Sequence, residues 1–358
     1  MNNKKYLRLA VYAAVLFSTQ AFACTGITLH SEKADHVVSR SIEWGNSVLQ
    51  SDLVIVPRNT AIQCQTAFGP GLKYKNRLGY VGLSIEDKHF VVEGLNEKGL
   101  SAGLFFFPGY GQYPAYEKTQ SMKTISDMEF VAWVLGAFET VAEAKKTLPQ
   151  MRVAERFKNA GTVHYRVADN TGAQIVVEIV DGKMQIFDNP IGVLTNAPGF
   201  QWHLTNLNNY MNLKPGKTSP VQWESLTLRS PGIGSGMAGL PGDITPPSRF
   251  VRAAFMVSTA PALKTGDETV LYSFKILNAF EIPIGLELEN HDNPTGLLSA
   301  TQWTSASDMT NKKLYYKTMS NEKIRFIDLN TIDFSKVSYQ SQPIDETSTT
   351  SFEKIDIQ

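Results

Sequence analysis

Between residues 25 and 107 polar and apolar positions alternate in short runs broken by Gly, Asn and Asp. A period of two puts every other side chain on one face of a sheet, so this pattern predicts strands at 25–30, 36–42, 52–57, 79–85, 89–94 and 100–107. Gly94-Leu95-Asn96-Glu97-Lys98-Gly99 joins the last two as a tight hairpin, with Asn96 shaping the turn. The apolar spacing then lengthens to that of a helix. Phe130, Val131, Val134, Leu135 and Phe138 share one face, with Ser126 and Glu129 spaced as a capping box ahead of them. Thr140 and Glu143 repeat that signal for a second helix. Strand patterns return at 162–169, 173–180, 183–188 and 191–195, and again at 313–319 and 323–329. Helices fit 248–259 and 267–280, Pro231 to Gly242 reads as an extended surface loop, and polar residues 337–358 read as a loose tail. No repeat or linker divides the chain, and strand groups separated by helix pairs predict one layered α+β domain over 24–336.

The first 23 residues follow a different logic. Lys4, Lys5 and Arg8 precede an apolar run from Leu9 to Phe17, and Ala21 and Ala23 supply small residues for a peptidase. That is the pattern of an export signal peptide, 1–23, and the run is too short for a membrane span of about 20 residues. Cleavage after Ala23 makes Cys24 the first residue and gives it a free α-amino group beside its thiol. With an amine pKa of roughly 7.7–8.0, such a residue carries its own base near neutral pH. Two other readings compete for Cys24. An acylated lipoprotein cysteine would anchor an exported binding protein, although Ala21 and bulky Phe22 depart from the usual lipoprotein pattern. A disulfide to Cys64, the only other cysteine, is the second.

Composition narrows the partners. Apolar residues make up 42% of the chain and aromatics 10%, enough for a substantial core. The 34 basic and 34 acidic residues balance, and losing the signal peptide tips the rest slightly negative. No nucleic acid or anionic membrane is indicated, and no later apolar stretch suits stable membrane insertion. The six histidines show no HxxxH or HxH spacing and no CxxC pair exists, so no metal or other cofactor is expected.

A thiol that attacks an amide also needs a cation to favour the thiolate and donors for the oxyanion. Ser39-Arg40-Ser41-Ile42-Glu43-Trp44 offers a cation and a carboxylate at the end of an early strand. Together with Cys24-Thr25-Gly26, this segment resembles the opening of the choloylglycine hydrolase family, which contains conjugated bile salt hydrolases and penicillin V acylases. The resemblance continues in order through Gly94–Leu100, Leu194-Thr195-Asn196-Ala197-Pro198, Trp202–Leu207, and Leu240–Pro246 leading into Ser248-Arg249-Phe250-Val251-Arg252.

The resemblance implies the four-layer αββα fold of N-terminal nucleophile hydrolases, with two stacked antiparallel sheets between helical layers. It makes Cys24 the nucleophile and its amine the base, and it matches Arg40 to the arginine beside the thiol. Asn196 matches the oxyanion-binding asparagine and Arg249 the arginine that completes the polar site. The second oxyanion donor, a main-chain N–H after a Gly-Leu pair, falls on Phe105. Glu43 stands where the family typically holds the amine with an aspartate. Phe105-Phe106-Phe107 forms an aromatic wall, of which strand alternation turns at least one ring into the core. Phe106, Phe107 and Trp44 are the expected pocket residues. The implied substrate is a small linear amide: a bile salt conjugate, penicillin V or an N-acyl homoserine lactone. Gly232–Gly239 resembles a segment that joins subunits, which implies a homotetramer.

Overall fold

The computed structural model describes residues 23–46, 48–287, 297–345 and 355–356; residues 1–22 of the expected signal peptide lie outside them. Two antiparallel sheets dominate. The smaller runs Cys24–His30, His36–Asn46, Leu297–Asp308, Lys313–Thr318 and Asn321–Asp328 in spatial order. The larger runs Lys183–Asp188, Gln174–Val180, Val163–Ala168, Ser101–Phe106, Asp87–Asn96, Tyr80–Ile85, Ser51–Val56 and Gln340–Pro343. Helix Phe130–Ala137 packs on the larger sheet, and helices Pro246–Thr259 and Gly266–Leu277 pack on the smaller one. This is the expected αββα arrangement.

The core between the sheets is apolar but not wholly so. Trp303 of the smaller sheet donates its indole N–H to Ser51 Oγ of the larger at 3.1 Å. Among the largest fully buried side chains are two arginines, Arg40 and Arg249. Burying a guanidinium costs several kcal/mol unless it is fully paired, on the order of the penalty for any desolvated ion. Two such residues in one core point to a site rather than to packing.

Several expectations change in the structure. The segment 191–195 is not a strand; Leu194 makes one antiparallel bridge to Gly26 instead. Ser126 caps nothing with its hydroxyl, a 3₁₀ turn fills Asp127–Glu129, and Glu129 Oε2 accepts the Gln65 N–H at 3.0 Å. The Thr140 cap does form, accepting the Glu143 N–H at 3.2 Å. Asn96 shapes its turn as expected, accepting from the N–H groups of Lys98 and Leu100 at 3.0 Å each. The tail is not loose over its first part. Gln340–Pro343 adds an edge strand to Ser51–Val56, Ile344 is buried, and Arg325 pairs with Asp345. Main-chain pairing carries this strand, and that is why its polar composition concealed it; residues 346–354, 357 and 358 lie outside the described residues.

Candidate active site

Cys24 opens the edge strand Cys24–His30 and pairs with Ile42 across the ladder. One residue back, the Ala23 carbonyl accepts the Glu43 N–H at 2.9 Å. The strand's other edge is closed by reciprocal bonds between Gly26 and Leu194, at 2.7 and 3.1 Å. That bridge carries Asn196 to the start of the strand, where its Oδ1 accepts the Cys24 N–H at 2.9 Å. Here Cys24 N is a peptide nitrogen joined to Ala23, and it occupies the place of the amine that cleavage would release. Gly26 permits the close approach: a Cβ there would stand 2.8 Å from Cζ of Phe105.

Arg40 Nη2 donates to Cys24 Sγ at 2.8 Å. Its other nitrogens donate to the carbonyls of Leu104, Val92 and Ser41, and its Cζ lies over the Phe105 ring, 4.2 Å from the ring centre. Burial raises the thiol pKa; Arg40 opposes this most strongly, followed by the Phe106 N–H and Arg249, while Glu43 adds to the rise. Arg249 donates to the Cys24 carbonyl, to Thr25 Oγ1 and to Asn196 Oδ1, the latter two at 2.8 Å. Two donors on Oδ1 fix the orientation of the Asn196 amide. Its Nδ2 donates to the Phe106 carbonyl at 2.8 Å, which leaves one of its two N–H bonds available.

Glu43 is buried beside the chain at Ala23. Thr301 donates to its Oε1 at 3.0 Å, and Oε2 has no partner among the described residues. Burial pushes its pKa up to about 7, with Arg249, the neighbouring Ser41 hydroxyl and Thr301 pulling the other way in that order, although the Ser41 hydroxyl makes no hydrogen bond of good geometry among the described residues. A buried carboxylate oxygen without a hydrogen bond calls for a donor, and an α-ammonium on Cys24 would supply one.

The structure therefore brings Cys24, Arg40, Glu43, Asn196 and Arg249 together. It corrects the rest of the expected set. The backbone N–H that meets the thiol belongs to Phe106, not Phe105. Along a strand N–H groups alternate between edges, and Phe107 N–H donates to Thr162 across the Val163–Ala168 ladder. Phe105 N–H shares that edge and turns away from Cys24. Phe107 is fully buried and stacked 4.5 Å from His164. Phe106 alone of the three is partly exposed. Trp44 is buried in the core cluster. Both cysteines are free thiols, which removes the disulfide reading. Sequence reasoning gave no role to Thr25, although it stands in the Cys24-Thr25-Gly26 match, and missed Thr301, a common residue type with no distinguishing pattern around it.

A family model for linear amide C–N hydrolases, choloylglycine hydrolase family, matches residues 24–347. The chain belongs to the choloylglycine hydrolase family. It is 33% identical over 313 residues to a bile salt hydrolase/transferase of Clostridium perfringens, covering 86% of this chain and 92% of that one. The crystal structure of a conjugated bile acid hydrolase variant from Clostridium perfringens superposes with a TM-score of 0.80 at 28% identity, covering 93% and 100% of the two chains. A penicillin V acylase from Agrobacterium tumefaciens shares the fold, with a TM-score of 0.73 at 24% identity over 89% and 90% of the chains. As a choloylglycine hydrolase the protein is an N-terminal nucleophile enzyme that hydrolyses linear amides through its cysteine.

Proposed function

We propose that export and cleavage after Ala23 create the active site, and that the mature enzyme hydrolyses amides of an apolar acid in the periplasm or outside the cell. The observation that carries this reading is the pairing at Cys24: the Arg40 guanidinium on its sulfur, Asn196 Oδ1 on its nitrogen, and a buried Glu43 close enough to act on the thiol. The α-amine takes the thiol proton as sulfur attacks the amide carbonyl. The free N–H of Asn196 and the main-chain N–H of Phe106 receive the oxyanion, with Phe106 taking the part expected of Phe105. The leaving amine takes a proton from the ammonium, and water activated by the same amine then cleaves the thioester. Arg40 holds the thiolate, Glu43 holds the amine, and Arg249 fixes Asn196.

For the substrate, the partly exposed Phe106 ring suits an apolar acyl group, and a relative of matching length is named a bile salt hydrolase/transferase. Glycine- and taurine-conjugated bile salts are the first substrates to expect, ahead of penicillin V and N-acyl homoserine lactones. A hydrolysis panel over these classes tests the reading; turnover of acyl homoserine lactones alone would reverse the order. Cys24→Ala should fold and lose all turnover, and an active alanine variant would overturn the mechanism. Intact mass of the exported protein distinguishes the lipoprotein reading, which the buried position of Cys24 disfavours. A diacylglyceryl adduct on Cys24 would replace the enzyme reading with an anchor. Exposed Ile233, Met211 and Trp223 around the glycine-rich segment support the homotetramer, which light scattering checks.

A further inference from the structure

Asn196 lies in a stretch without regular secondary structure, yet its side chain is fixed to Cys24 and Arg249. Such a stretch needs other anchors for its main chain, and two buried imidazoles provide them. His164 Nε2 lies 3.1 Å from the Thr195 carbonyl, and its Nδ1 lies 3.1 Å from Glu178 Oε1. His203, on helix Phe200–Asn206, places Nε2 3.0 Å from the Asn196 carbonyl. A carbonyl oxygen only accepts, so both Nε2 atoms carry hydrogen.

His203 is the more exposing case. Its Nδ1 has no partner among the described residues, and its ring stacks 4.5 Å from that of Phe250. Burial lowers its pKa to about 4, so near neutral pH it is the uncharged Nε2–H tautomer. A buried ring nitrogen left unpaired is a cost that a simple apolar residue would avoid. What the imidazole gives in return is one directed hydrogen bond to the residue whose amide faces the nucleophile.

We propose that His203 is a positioning residue for amide hydrolysis: it anchors the Asn196 main chain so that the carboxamide stays aimed at Cys24. The inference rests on the reading of Asn196 as an oxyanion donor. Among the described residues no hydrogen bond joins His203 to the thiol or to Arg40; its one directed bond goes to Asn196, and its ring rests on Phe250.

The test compares wild type, Asn196→Ala, His203→Phe, His203→Gln and the Asn196→Ala/His203→Phe double variant. Each is assayed on a glycine-conjugated bile salt and on penicillin V. Phenylalanine keeps the stack on Phe250 and removes the donor; glutamine restores a donor. His203→Phe is expected to lower kcat about 10- to 100-fold, the scale of a small misplacement of a reacting group, with KM changed less than about threefold. His203→Gln should recover part of the loss, and His203→Phe should add nothing to Asn196→Ala. Alkylation of Cys24 by iodoacetamide should be unchanged in His203→Phe, and its crystal structure should show Asn196 Oδ1 withdrawn from Cys24 N. Additive losses in the double variant, or Asn196 unmoved in that crystal structure, would overturn the proposal. If Asn196→Ala keeps full kcat, the oxyanion reading itself fails. If only Asn196→Ala loses activity, the positioning role falls and the oxyanion reading stands.

Discussion

Arg40 donates to the Cys24 thiol at 2.8 Å while its guanidinium carbon sits over Phe105, 4.2 Å from the ring centre. Arg40 belongs to the smaller sheet and Phe105 to the larger. The counter-charge of the nucleophile is thus clamped where the sheets meet, with the Leu104 carbonyl taking a second nitrogen. A side chain held on three sides aims one nitrogen at the sulfur without paying entropy for it during reaction.

Replacing Arg40 by Lys should therefore be damaging, although charge is kept. An ammonium cannot meet Leu104, Ser41 and the sulfur in one plane. Because Arg40 is the main influence lowering the thiol pKa, the midpoint of iodoacetamide alkylation against pH should move upward. Loss of kcat/KM on the order of 100-fold is expected, as for removal of other preorganised charge contacts. An unshifted alkylation midpoint would contradict the assignment.

Glu43 gives a prediction whose sign depends on cleavage. Its pKa in the folded, uncleaved chain is about 7, above the ordinary 4.5. The folded state then binds more protons than the unfolded one between these values, so stability falls as pH rises from 4.5 to 7. In the chain beginning at Cys24, an ammonium beside Oε2 should reduce that fall. Thermal melts of both forms across this window measure the difference. Glu43→Gln should flatten the slope in the uncleaved form and lower kcat of the cleaved form by about tenfold or more.

Gly26→Ala should destabilise the fold by about 1–3 kcal/mol, the usual cost of overpacking a core. Its new Cβ would sit 2.8 Å from Phe105 Cζ and 3.0 Å from Cε1. Because the same ring supports Arg40, activity should fall further than at an ordinary core position of equal ΔΔG. Denaturant melts paired with kcat measurements check both halves.

His203 should make the protein acid-sensitive. Its folded pKa of about 4 lies below the ordinary 6.5, so between these values the unfolded chain binds the extra proton. Stability contributed by the neutral ring is complete above 6.5 and is lost as pH falls toward 4. His203→Phe should remove that part of the slope, which melts at pH 4 to 7 would show.

Much of the site was legible because catalysis demands particular residue types near particular motifs. Cys24 behind Ala23, Arg40 and Glu43 in one short segment, and Asn196 and Arg249 in recognisable stretches all lie where they can be named from the chain. Phe105 shows the boundary of that reading. Counting from Gly103-Leu104 finds the right strand, but which N–H faces the thiol depends on the edge that the strand leaves open. The same alternation sends Phe105 and Phe107 inward and only Phe106 outward.

The strand and helix periods and the chemical groups available to a terminal cysteine can be read from the chain alone. These follow from local geometry and side-chain chemistry. It takes the folded chain to turn the Phe106 N–H toward the thiol, to set Thr301 on Glu43 and His203 on the Asn196 carbonyl, and to close a sheet edge with residues 340–343. These are directional hydrogen bonds between different segments, seven residues apart for His203 and Asn196 and far more for Thr301 and Glu43, and no local pattern encodes where such groups will meet.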